Sequence, residues 1–141
     1  MAEFSTLKTK ILAHVTAQTA YFASGSVFAY EPAVESVVAD PWAVVIASGN
    51  ENDYISTAEN RRRYAFTVRI FVERGSDQET AETKLMGIVE ALLEAFDEDF
   101  TLTSSALYLT AAPSAWGYLL REKEYRYAEI RLVAKTDVSV Q

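Results

Sequence analysis

The longest regular pattern in the chain is RRRYAFTVRIFVER, Arg61 to Arg74. Apolar and polar positions alternate along all of it. Tyr64, Phe66, Val68, Ile70 and Val72 fall on one side; Arg63, Ala65, Thr67, Arg69, Phe71 and Glu73 fall on the other. Side chains on a strand change faces at each residue, so the pattern predicts a strand with a buried face and a wet face. At about 3.3 Å per residue it would run roughly 45 Å, longer than most strands. Such a strand outgrows a small core, and its ends are expected to project.

A different period governs the flanks. Leu7, Ile11, Leu12, Val15 and Phe22 recur at helical spacing behind Ser5 or Thr6 as cap, and the helix is expected to stop by Ser24-Gly25-Ser26. Val27 to Tyr30 reads as a short extended piece halted by Pro32, and Ala33 to Asp40 fits either a helical turn or a loop. Pro41 opens a strand over Trp42 to Ser48, whose VVI centre predicts burial on both faces. Gly49 to Asn60 reads as a polar loop; with its flanking strands it would form an extended hairpin whose tip leaves the body.

After Gly75, Ser76-Asp77-Gln78-Glu79 reads as a capping box, Ser76 at the cap and Glu79 reaching back. Behind it Ala81, Leu85, Ile88, Val89, Leu92 and Phe96 form one helical stripe. Leu107, Leu109 and Ala111 then alternate as a strand up to Pro113, and Ser114 to Leu120 reads as an irregular connection. A last strand is expected from Glu124 to Lys135, with Ala128, Ile130, Leu132 and Ala134 inward, Tyr125, Tyr127, Glu129 and Arg131 outward, and a loose tail TDVSVQ. The order is helix, two or three strands, helix, two strands. It predicts one α+β domain over residues 1–141: a mostly antiparallel sheet, two amphipathic helices packed on one face, and a long protruding β-hairpin. The other sheet face, with Arg63, Arg69, Glu73, Glu129 and Arg131, is expected to stay wet or meet a neighbour.

Composition narrows the function. Half the residues are hydrophobic, which argues against disorder. The chain has no cysteine, so disulfides, thiolate metal sites and a cysteine nucleophile are excluded. Thirteen basic and twenty acidic residues give −7, a field that repels nucleic acid and anionic membrane. The first residues lack a signal-peptide pattern, and no apolar run reaches the roughly 18 residues of a span, so a cytoplasmic site of synthesis is expected. The single histidine, His14, lies in the first helix and reads as a locally bonded flank residue. The five glycines form no phosphate loop, and no G-x-S-x-G elbow occurs. No catalytic residue, metal set or cofactor is expected, and the protein is read as a non-enzyme.

The residues that remain suggest contacts between proteins. Arg61-Arg62-Arg63 is the one concentrated basic group. Glu94, Asp97, Glu98 and Asp99 crowd the end of the second helix, where acids oppose the dipole unless the helix has ended by Phe96 or a basic partner offsets them. Asn52, Asp53 and Tyr54 lie in the hairpin tip. Trp116 is expected to be partly exposed, as interface aromatics are. The small residues Thr83, Gly87, Ala91 and Ala95 invite close approach, by the first helix or by a second copy.

The layout resembles the tail terminator proteins of long-tailed bacteriophages. A short N-terminal helix precedes VFAYEP; DPWAVVIASGNENDY leads into STAENRRRYAFTVRIFVERG; the helix DQETAETKLMGIVEALLEAF follows, then a tryptophan segment and YRYAEIRLVAK. The resemblance implies a ring, usually of six copies, that caps the tail tube, stops its polymerisation and offers a surface to the head. It implies as partners further copies of the chain, the tail tube protein and a head–tail connector protein, with no membrane and no specific nucleic acid. The implied place is the head-proximal end of the virion tail, reached from the host cytoplasm. In that frame Arg61 to Arg63 would pair with Glu94 to Asp99 of the next copy. Another neck or head-completion protein, or a monomeric small-ligand-binding α+β domain, are the alternative readings.

Overall fold

The computed structural model describes residues 4–23, 25–30, 40–54, 59–74, 77–102, 106, 108–120 and 124–139. Two helices and a five-stranded, mostly antiparallel sheet make it α+β.

Helix α1, Phe4–Thr16, buries Leu7, Ile11 and Val15, one residue per turn on one stripe. It starts before the expected cap residues; Ser5 sits inside the first turn, where its carbonyl accepts from Thr9 Oγ1 at 2.8 Å. It also ends sooner than the apolar spacing predicts. Tyr21 and Phe22 N–H both donate to Gln18 O, so a separate turn, not the helix, brings Phe22 to the core. Periodicity cannot tell the two apart, because both return the chain to the same side. Gly25, at φ 84°, then reverses the chain, a conformation open to glycine. Of the segment expected from Ala33 to Asp40, residues 33–39 lie outside the described residues, as do Ser24, Pro32, Gly75, Ser76 and Leu107.

Strand β1, Val27–Phe28, runs parallel to β2, Trp42–Tyr54. β2 pairs antiparallel with β3, Glu59–Glu73, from Trp42↔Phe71 out to Tyr54↔Asn60. The expected loop from Gly49 to Asn60 is therefore strand on both sides, and only residues 55–58 lie between. Polar residues such as Asn50 and Asn52 have poor strand propensity, but β3 supplies a partner for their backbone groups, and tertiary pairing overrides propensity. The register slips between Ala47 and Gly49. Glycine inside a strand commonly marks such a bulge.

Helix α2, Gln78–Glu98, buries Ala81, Leu85, Ile88, Val89, Leu92 and Phe96, the whole expected stripe. Its N-cap is Asp77, not Ser76: Asp77 Oδ1 accepts from Glu79 N–H at 3.1 Å and Oδ2 accepts from Thr80 Oγ1. The sequence offers two cap residues in succession, and the helix takes the later one. The Thr80 hydroxyl, above all, lowers the Asp77 pKa.

Strand β4, Tyr108–Leu120, is continuous where an irregular connection was expected after Pro113. It pairs with β5, Glu124–Ser139, and the register slips between Pro113 and Ala115. A bulge shifts face parity by one residue, which is why the alternation of Leu109 and Ala111 does not carry through to Trp116. β5 runs past the expected end at Lys135, because Glu59 to Arg62 pair with Thr136 to Ser139; that part of the tail is not loose.

The sheet order is β1-β2-β3-β5-β4. The main hydrophobic cluster joins Leu7, Ile11 and Val15 and the α2 stripe to Ala43, Val45, Tyr64, Phe66, Val68, Ile70, Val72, Ala128, Ile130, Leu132 and Ala134. The opposite face is not simply wet. Trp42, Val44, Phe71 and Tyr125 form a second buried cluster there, with Trp42 stacked on Phe71 at 4.1 Å. Tyr125 was expected outward and is outward, but aromatic neighbours across three strands cover one another.

Candidate interaction surfaces

The interface residues expected from sequence fall in three places. The first is the far end of β2, β3 and β5. Asn52, Asp53, Tyr54, Arg61 and Arg62 are strand residues, and the structure describes their backbone and register. That register sets Asp53 and Asp137 opposite Arg61, and Glu51 and Lys135 opposite Arg63. Arg63 itself is exposed. The arginine group thus has acids of its own chain at facing positions, which the linear sequence hides.

The second place is the C-terminal end of α2. Glu94, Asp97 and Glu98 are exposed, and the helix continues past Phe96 to Glu98. Of these acids, Asp99 has a hydrogen-bond partner in the same chain. His14 Nε2 lies 2.7 Å from Asp99 Oδ2, across 85 positions of sequence. The His14 ring meets Phe96 edge-on at 5.6 Å. His14 therefore ties α1 to the end of α2 rather than bonding locally. Gly87 of the small-residue row faces Tyr21, whose hydroxyl lies 3.5 Å from the position of an added Cβ, so that row meets the turn after α1.

The third place is the outer strand β4. Trp116 is 40% exposed, as expected, and Tyr118 and Leu120 are 54% and 78% exposed. Beside them is a group the sequence reading missed. Arg126 Nε donates to Glu82 Oε2 at 2.9 Å and Nη2 to Oε1 at 3.3 Å, a fork between β5 and α2. Its Nη1 donates to Gly117 O at 2.9 Å. The guanidinium lies 4.7 Å from the Tyr118 ring centre and 5.7 Å from that of Trp116. The hydrogen bond from Arg126 holds the Glu82 carboxyl below its ordinary range, and the same bond raises Arg126. On the other side of the strand, the Tyr127 ring covers Gly117 so closely that an added Cβ would lie 2.7 Å from its hydroxyl. One signal was present: Arg126 shares the inward parity of Ala128 and Ile130, where a cation needs a partner.

Among the described residues no three His, Asp or Glu side chains gather as a metal site. A shallow groove lined by Asp40, Glu73, Arg74, Asp77 and Lys84 uses its polar groups for the fold. Asp40 Oδ1 accepts from Glu73 N–H, Arg74 pairs with Glu124 at 2.6 Å, and Asp77 caps α2. Among the described residues no helix is long and apolar enough to cross a membrane. No protein-family model and no curated protein matches the chain.

Proposed function

We propose that this is a structural assembly protein whose copies close into a ring, and that it acts as the tail terminators do: it caps a phage tail tube, stops its growth and presents the head-docking surface. The reading takes both helices to cover one face of the sheet and the β2–β3–β5 ribbon to project from the body. One observation carries it. The pairing of β3 with β5 runs on from Tyr64↔Ala134, the last main-cluster pair among the described side chains, through Arg62↔Thr136, where Thr136 is still buried, to Glu59↔Ser139. In this reading the ribbon beyond Thr136 adds little to the stability of the body and serves contacts with other chains. The growing tube end is a template for the next tube subunit. A cap that matches it below and differs above removes that template, and the ring needs a head-to-tail interface whose rotation closes. In this scheme Arg61 to Arg63 and Glu94, Asp97 and Glu98 are contacts between copies; Arg63 and the three acids are exposed, where salt screens such pairs.

Electron microscopy of particles assembled without this protein tests the reading. Tubes of uncontrolled length without heads are expected. Tails of normal length that lack heads would instead mark a neck protein, and normal complete particles would end the proposal.

A further inference from the structure

We propose that two copies of this chain join by antiparallel pairing of β4 with β4, in the register that sets Trp116 opposite Leu120 of the second copy and Tyr118 opposite its counterpart. The contact does not rest on the ring reading. It is isologous and closes at two copies, so it differs from the head-to-tail contact that a ring requires.

The backbone argument comes from hydrogen-bond parity. Arg74 N–H donates to Glu124 O at 2.9 Å, while Glu73 N–H turns the other way, to Asp40 Oδ1. In an antiparallel sheet alternate residues direct both backbone groups to the same neighbour. Even-numbered residues of β5 therefore face β3, and odd-numbered residues face β4. Their partners on β4, Ala115, Gly117 and Leu119, face inward. The N–H and C=O groups of Trp116, Tyr118 and Leu120 consequently point out of the sheet, beyond its last strand. These three residues also carry the most exposed apolar side chains of the strand's second half. An open backbone edge and an apolar surface coincide over residues 116–120.

Charge selects the occupant. Natural edge strands are defended by charged side chains, proline or bulges. β4, YLTAAPSAWGYLL, carries no charged residue. Its proline and bulge lie at residues 113–115 and leave 116–120 undefended. Among the described residues, the cation that lies over Trp116 and Tyr118, Arg126, is already satisfied by Glu82. A chain of net charge −7 repels its own copies over most of its surface, so self-association favours an uncharged stretch. This strand is one.

Self-pairing also specifies a register. Centred on Tyr118, it matches Trp116 with Leu120 twice and Tyr118 with Tyr118 once, aromatic and apolar cross-strand pairs of the stabilising kind. A slip of two residues in either direction runs into the bulge or past the end of β4. A slip of one sets the side chains of the two copies on opposite faces.

Solution mass by light scattering and sedimentation tests this with four proteins: the unmodified chain, Trp116→Lys, Leu120→Glu and the double variant. The unmodified chain is expected to be dimeric and each single variant monomeric. The double variant sets opposite charges across both outer pairs and regains the dimer. A monomeric unmodified chain, single variants that keep their mass, or a folded double variant that stays monomeric would each overturn the proposal. Amide exchange on the unmodified protein needs no variant. The Trp116, Tyr118 and Leu120 N–H groups slow as concentration rises; fast exchange at every concentration overturns the pairing.

Discussion

Gly117 shows how much one missing side chain can decide. Tyr127 lies opposite it across the β4–β5 pair and lays its ring over the vacant face, while Arg126 bonds its carbonyl from the other side. A methyl group at residue 117 would meet the hydroxyl oxygen and two ring atoms of Tyr127 between 2.7 and 2.9 Å, closer than real contacts allow. Either the ring or the strand must move. Gly117→Ala is expected to cost about 1–3 kcal/mol, the range for overpacking. Urea unfolding checks it, and Tyr127→Ser in the same chain should recover most of the loss. The sequence marks Gly117 as unusual between two aromatics, but the need for glycine arises from a residue ten positions away. His14 teaches the same lesson. Its helical position can be read from the sequence; its partner Asp99 cannot, because only the packing of α1 beside the end of α2 brings them to 2.7 Å.

At the scale of elements, the Glu82–Arg126 fork links α2 to the sheet. Arg126 holds the Glu82 pKa below its ordinary value. A carboxylate so depressed contributes stability that is present above its unfolded pKa and lost as pH falls through the folded one. The unmodified protein should therefore lose stability as pH drops below about 4.3, the unperturbed glutamate value. Glu82→Gln should be less stable at pH 7 and should show a shallower decline on the acid side. The flattening is partial, since Asp77, lowered by Thr80, titrates in the same direction. Urea midpoints from pH 7 to pH 3 check both expectations. The buried stripe of helix α2 was legible because Ala81 to Phe96 repeats over many turns. The strands were legible as far as their alternation held. At Ser48 and Ser114 a single inserted residue inverts the parity, and simple alternation then misreads Asn50 to Tyr54 as loop and Ser114 to Leu120 as irregular.

For the whole molecule, the proposed ring contact can be tested apart from stability. Replacing residues 52–62 with Asn-Gly leaves Glu51 and Arg63 paired around a two-residue hairpin turn of favoured type. The main cluster residues, from Tyr64 onward on β3, are untouched. The shortened chain is expected to unfold within a few degrees of the parent and to form no ring. Calorimetry checks the first, and electron microscopy of particles assembled with the shortened chain checks the second; tubes of controlled length that carry heads would remove the ribbon from the ring contact.

Sequence by itself determined the α+β class, the core stripe of α2, the inward set of β3 and β5 and the acidic, cysteine-free character of the chain. Each is a matter of period or composition, and both are local. The tertiary structure decided where α1 stops, which residue caps α2, where the strands end and which charges meet. It also decided that a second aromatic cluster forms behind the sheet and that Trp116, Tyr118 and Leu120 stand on an open edge. Those outcomes depend on register between distant strands, and register is chosen by all the pairs of a sheet together rather than by any one segment.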